Sequence, residues 1–168
     1  GRSETQLVVV TTRSLQFTEA PPMCIDPAKS YTAVVSTSMG DFTIELDPQR
    51  APNMVNNFVF LANHHYFDGV GFHRVIPDFV IQGGDAVGAA IGGGAGKGNP
   101  GYKLADELPE EGEYELGSVV MANSGPDTNG SQFFVITGDR GVALPPDYSL
   151  FGKVSEGIDV PLAIQAVE

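Results

Sequence analysis

Cationic side chains are scarce in this chain: nine lysines and arginines stand against twenty-one aspartates and glutamates, a formal charge of −12. A phosphate backbone is repelled by such a surface, and Arg74, Lys97, Lys103, Arg140 and Lys153 are scattered rather than gathered into a patch. No nucleic-acid partner is therefore expected. Cysteine occurs once, at Cys24, which excludes an internal disulfide and leaves the redox compartment open. No apolar run approaches the ~20 residues that a membrane-spanning helix needs; Leu7-Val8-Val9-Val10 is far too short, and no charged-then-apolar leader precedes it. The compartment stays open between an extracytoplasmic home, secreted or tethered through the amino-terminal arm, and a cytoplasmic one. Metal-ligand clusters are missing too. His64 and His65 are neighbours that face different directions, His73 sits in another motif and Cys24 lies far off, so no metal and no cofactor are expected.

What is present suits a single core. The chain has 168 residues, 42 % of them hydrophobic and 18 % charged, an ordinary globular balance for one domain. Residues 1–30 mix Thr, Ser and Pro and read as an arm or linker, with residues 31–168 as the domain proper. Tyr31–Ser36 and Phe42–Leu46 are β-rich and flank Ser38-Met39-Gly40-Asp41, a hairpin turn. Pro52 sits where a first helical turn tolerates a missing N–H, and Met54, Val55, Phe58, Val59, Leu61 and Ala62 then recur at helical spacing. Further strands are expected at 72–76, 79–82, 119–122, 133–137 and 150–154, a glycine-rich loop at 86–102 and a closing helix at 160–166. Many short strands with two helices point to a closed β-barrel with helices at its ends.

Two segments carry the chemistry. Phe72-His73-Arg74-Val75-Ile76-Pro77-Asp78-Phe79-Val80-Ile81-Gln82-Gly83-Gly84-Asp85 sets a permanently charged arginine among apolar groups, with no carboxylate beside it in sequence. About forty residues later comes Met121-Ala122-Asn123-Ser124-Gly125-Pro126-Asp127-Thr128-Asn129-Gly130-Ser131-Gln132-Phe133-Phe134-Val135. Together, in this order, the two runs resemble the signature segments of the cyclophilins, the peptidyl-prolyl cis/trans isomerases, and the resemblance covers roughly Tyr31 to Ile164.

The resemblance implies a closed antiparallel eight-stranded barrel capped by two α-helices. Members of the family usually continue past the last helix with a completing strand, which this sequence lacks. The run Gln6–Thr12 has strand chemistry, and two readings stay open: it fills that gap, or it is an unpaired arm. It further implies rotation about Xaa-Pro bonds in client proteins without covalent chemistry. Arg74 matches the catalytic arginine; Phe79, Gln82 and Asn123 match catalytic-site positions beside it. Val80, Ala122, Gln132, Phe134, Leu144 and Tyr148 match positions that bind the substrate. The expected partners are proline-containing peptides and unfolded or folded protein clients, with the domain itself a monomer.

Three positions depart from the best-known eukaryotic members, and together they resemble a bacterial type. Ala143 stands where those carry tryptophan, Tyr148 where they carry histidine, and Val80 where they carry methionine. Loss of the indole donor and its contact area implies weak or no cyclosporin binding, while the Tyr148 hydroxyl and ring preserve a polar aromatic rim. Two rival functions remain: a proline-peptide binding module whose catalysis is incidental, and a general holdase for exposed apolar segments. The run Gly96-Lys97-Gly98-Asn99-Pro100-Gly101 fits a G-x-G-x-x-G pattern. No β-rich strand leads directly into it, however, and Pro100 opposes a helical start, so phosphate binding is set aside. Ser131 lacks the second glycine of a nucleophile elbow, which removes a hydrolase reading.

Overall fold

The computed structural model describes residues 13–90 and 95–167. The elements in chain order are β1 (Tyr31–Thr37), β2 (Gly40–Leu46), α1 (Pro52–Asn63), β3 (Arg74–Ile76), β4 (Val80–Gly83), α2 (Ala86–Ala90), β5 (Ser118–Met121), β6 (Phe133–Ile136), α3 (Asp139–Val142), β7 (Leu150–Glu156) and α4 (Asp159–Gln165). The strands form one antiparallel sheet in the order β1-β2-β7-β5-β6-β4-β3. Helix α4 touches β2 near one end of that order and β3 and β4 at the other, so the sheet curls around it.

Pairing among the described residues therefore gives seven strands with edges at β1 and β3, an open curled sheet rather than the closed eight-stranded barrel expected. The segment 6–12, the candidate for the eighth strand, lies outside the described residues. Two short helices also arise where none was expected. Helix α2 occupies the start of the anticipated 86–102 loop, and α3 is a single turn after β6.

Local chemistry accounts for the main elements. The β1–β2 hairpin turns through Ser38 and Met39, with Thr37 opposite Gly40; the Thr37 hydroxyl donates to the Gly40 carbonyl at 2.7 Å and accepts the Met39 N–H at 3.1 Å. Gly40 has φ +124°, a conformation that L side chains rarely adopt. Helix α1 begins with Pro52 and has no capping side chain at Ala51. Its first N–H groups are met from afar: the Glu107 carboxylate accepts from Met54 N–H at 2.8 Å and Asn53 N–H at 3.3 Å, neutralising donors that the helix cannot satisfy itself.

Met54, Val55, Phe58 and Leu61 are buried on α1, and so, against the helical pattern, are Asn56 and Asn57. The Asn56 carboxamide accepts the N–H groups of Cys24 and Ile25 and donates to the Pro22 carbonyl. Asn57 donates to Gly130 O at 2.7 Å and accepts the Tyr102 hydroxyl. Buried amides of this kind are tolerated because their bonds are made. Residues 13–30 contain no helix or strand, yet they are tied down. Arg13 donates to Tyr66 O, Phe17 N–H to Pro100 O, and the Phe17 ring stands edge-on to Phe60 at 5.0 Å.

Apolar packing covers both faces of the central strands. On the inner face Ile81, Val119, Met121, Phe133 and Val135 join Phe42, Ile44, Met54, Val55, Phe58 and Phe151 in the main core. On the outer face Val80, Val120, Phe134, Ile136 and Leu150 form a second cluster. This explains why β5 and β6 are buried at every position and read as continuous apolar runs.

Candidate functional site

Strand register builds the site. Arg74 pairs with Gln82, Gln82 with Phe134, Phe134 with Val120 and Val120 with Leu150, so one cross-strand row runs over β3, β4, β6, β5 and β7. Because side chains alternate along a strand, this whole row shares the outer face. The apolar part of that face holds Val80, Val120, Phe134, Ile136, Leu150 and the buried Tyr114, with Phe79, Ala122, Val142, Leu144 and Tyr148 packed against them half-exposed. At its edge the exposed Arg74 offers Nη1 to Gln82 Oε1 at a long 3.5 Å. The Gln82 amide donates to Gln132 Oε1 at 3.1 Å, and the Gln132 amide donates to Gly98 O at 3.1 Å. An arginine thus leads through two amides to the backbone of the 95–101 loop.

The other expected residues fall into the same assembly. Asn123 donates from Nδ2 to Asp147 O at 3.0 Å and accepts Gly125 N–H at Oδ1, which links it to the segment carrying Tyr148. Among the described residues nothing bonds the main-chain N–H or C=O of Asn123. Both groups can therefore meet an extended backbone. Phe134 and Tyr148 stand edge-to-face at 5.4 Å. All ten residues singled out in the sequence, from Arg74 to Tyr148, come together on this one face.

Sequence reasoning missed the residues that hold them. Tyr114 is 4 % exposed; its hydroxyl donates to Tyr148 O at 2.6 Å and accepts Tyr148 N–H at 3.2 Å. Burial pushes that phenol up to about 12, the bond to Tyr148 opposing and the charge of Asp147 adding to the shift. Asp85 is 1 % exposed and accepts three backbone N–H groups, from Gly88 at 2.7 Å, Gly96 at 2.6 Å and Gly98 at 3.0 Å. Burial alone would raise its pKa, yet those three donors and the neighbouring His73 hold the carboxyl below its ordinary value. His73 is lowered, chiefly by burial and also by Arg74, against the pull of Asp85. The amides of Gly96 and Gly98, the ones a phosphate would need, are thus already taken by Asp85. Partners up to 34 residues away in the chain leave no periodic trace, which is why neither Tyr114 nor Asp85 stood out.

A cavity of about 470 Å³ lies elsewhere, over the β2–β7 end of the sheet, and is lined by Lys29, Glu45, Arg50, Glu113, Glu115 and Lys153 among others. It contains none of the expected site residues. This cavity is rimmed by internal ion pairs, Arg50 with Glu113 and Lys153 with Glu115.

Comparison with known proteins decides the family. The model described as "Cyclophilin type peptidyl-prolyl cis-trans isomerase/CLD" matches residues 32–168. The chain belongs to the cyclophilin-type peptidyl-prolyl cis-trans isomerases. This cyclophilin is 38 % identical over 135 residues to the peptidyl-prolyl cis-trans isomerase CYP18-2 of Arabidopsis thaliana, with 80 % of each chain covered. It is 40 % identical over 128 residues to a putative bifunctional phosphatase/peptidyl-prolyl cis-trans isomerase of Streptococcus pyogenes. There the match takes in 76 % of this chain and spans only 26 % of the relative's length. Among solved structures it is similar to a cyclophilin type peptidyl-prolyl cis-trans isomerase of Cryptosporidium parvum, with TM-score 0.73, 31 % identity, and 83 % and 86 % of the two chains covered. The same parasite protein in the presence of the dipeptide Ala-Pro gives a TM-score of 0.71 at 30 % identity, with 83 % and 87 % covered. The family is one of isomerases, and its members act on proline-containing peptides and proteins.

Proposed function

We propose that this chain accelerates cis/trans rotation about Xaa-Pro bonds in client polypeptides, with Arg74 as the donor that stabilises the twisted amide. The uncatalysed barrier is ~18–20 kcal/mol because resonance makes the C–N bond partly double. Twisting removes that resonance and turns the prolyl nitrogen into a better hydrogen-bond acceptor. A fixed cation aimed at that nitrogen binds the twisted state more tightly than either planar isomer, which is the differential binding that catalysis needs.

The observation that carries this reading is the outer-face row. It sets an arginine with no carboxylate partner among the described residues beside an apolar platform able to seat a proline ring. Phe79, Val80, Phe134 and Leu144 form the seat, with Ala122 and Tyr148 at its rim. Gln82, Gln132 and the main chain of Asn123 hold the client backbone while one side of the bond turns. Ala143, exposed and small, supports weak cyclosporin binding, which calorimetry reads directly.

The test is the cis-to-trans rate of an Ala-Pro test peptide with the intact protein and with Arg74→Ala. A positioned donor of this kind is worth about 10²–10³ in rate, so the variant is expected to lose most of the acceleration with little change in peptide affinity. An intact protein that binds the peptide without accelerating it would overturn the isomerase reading in favour of a proline-binding module.

A further inference from the structure

Arg140 is a second guanidinium at the site, and nothing in the rotation mechanism calls for it. It lies on the first turn of α3, exposed, with its Cζ 5.4 Å from the centroid of the Phe79 ring. That turn is locked onto the turn preceding β4. Arg140 N–H donates to Asp78 O at 3.2 Å, Asp139 N–H donates to Asp78 Oδ1 at 3.1 Å, and Asp78 itself sits at φ +58°. The backbones approach so closely that a Cβ on Gly138 would come within 2.4 Å of Asp78, and one on Gly141 within 2.5 Å of Phe79 O. The guanidinium is therefore presented from a rigid base beside Phe79.

Its charge is uncommitted. The ion pairs among the described residues are Arg50 with Asp47 and Glu113, His65 with Asp68, and Lys153 with Glu115. Among the described residues the Arg140 side chain makes only its contact with the Phe79 ring. Asp78 and Asp139 share the turn, but neither comes within ion-pair distance of it.

Resting on the isomerase reading above, we propose that Arg140 is a specificity-determining residue that selects clients carrying an anionic side chain close to the isomerised proline. With the proline ring seated against Phe79, an extended client advances about 3.3–3.6 Å per residue. A carboxylate or phosphate that reaches the guanidinium is thus about one to three residues from the proline. A planar guanidinium matches either anion with paired donors. The net charge of −12 acts in the opposite sense, repelling acidic clients at long range, but it is screened beyond about 8 Å at physiological salt. The short-range contact therefore sets the order of preference.

The experiment measures kcat/KM at physiological ionic strength for a set of proline peptides. They carry Glu, Gln or Lys at each of the three positions on either side of an Ala-Pro core, and each is run with the intact protein, Arg140→Gln and Arg140→Lys. The intact protein is expected to favour Glu over Gln at one or two neighbouring positions by about two- to five-fold, the range of a partly exposed charge pair. The Glu/Gln ratio should fall to about one in Arg140→Gln and be kept in part by Arg140→Lys. An intact protein that accelerates every peptide equally, or a Glu/Gln ratio unchanged in Arg140→Gln, would overturn this inference while leaving the isomerase standing. Acceleration of no peptide would instead overturn the isomerase reading on which it rests.

Discussion

Replacing Asp85 by asparagine removes a charge and one acceptor while keeping the shape, and its effect can be worked out bond by bond. In the intact protein Oδ2 accepts from Gly96 and Gly98, and Oδ1 from Gly88. An asparagine has one acceptor oxygen, so its best orientation keeps two of these bonds, now neutral, and turns its NH₂ toward the Gly88 N–H. A bond to a charged acceptor is worth about 1.5–3 kcal/mol and a neutral one about 0.5–1.5. Losing one and weakening two therefore costs about 3–5 kcal/mol. The cost falls on Gly88, Gly96 and Gly98 and is limited by the free energy of local opening at those amides.

Amide hydrogen exchange reads it directly. Protection at Gly88, Gly96 and Gly98 is expected to fall by about 10²–10⁴-fold, since each 1.36 kcal/mol is a factor of ten. Turnover should fall with it, because the Gly98 carbonyl anchors the Gln132–Gln82–Arg74 chain. The sign with pH follows from a carboxyl held below its ordinary 3.8. Its contribution is full above that value and is lost as the pH falls through the lowered one. Loop protection in the intact protein should accordingly decline in acid, whereas the asparagine variant has no such step. Unchanged exchange at the three glycines in the variant would refute the reasoning.

Two further outcomes are expected. Tyr114→Phe leaves the N–H and C=O of Tyr148 without their buried partner, costing about 1–3 kcal/mol and raising KM, as urea denaturation and steady-state kinetics would show. With the Tyr114 hydroxyl raised from 10.0 to about 12, its contribution is complete below pH 10 and lost as the pH rises through 12; the phenylalanine variant should lack that alkaline step. Glu107→Gln weakens the distant cap of α1 by about 1 kcal/mol, a fall in Tm of about 2–4 °C by calorimetry.

Much of this architecture is legible along the chain because turns and alternation are local. The β1–β2 hairpin, the Pro52 start of α1 and the seven strands lie within a few residues of where their patterns put them, and the ten site residues gather on one face. What local patterns do not carry depends on contacts between distant segments. Asn56 and Asn57 look like a solvent face until Pro22, Cys24 and Gly130 are seen to meet them. Asp85 looks like a loop acid until Gly96 and Gly98 fold back onto it. Helix α2 hides in a glycine- and alanine-rich stretch with no apolar period, and α3 is too short to have one. Closure of the barrel was inferred from strand number, whereas strand order leaves β1 and β3 as edges.

The neighbours Phe133 and Phe134 differ by one peptide unit and by which side of the sheet they serve. One is packed into the main core, the other into the second cluster on the outer face, and Val119 and Val120 divide in the same way. Because both sides are buried, a deep substitution scan should find every position of β5 and β6 sensitive in abundance, with none tolerant of a charged side chain. The strands are thus held from two sides at once, and an engineer who repacks one cluster leaves the other to keep them in register.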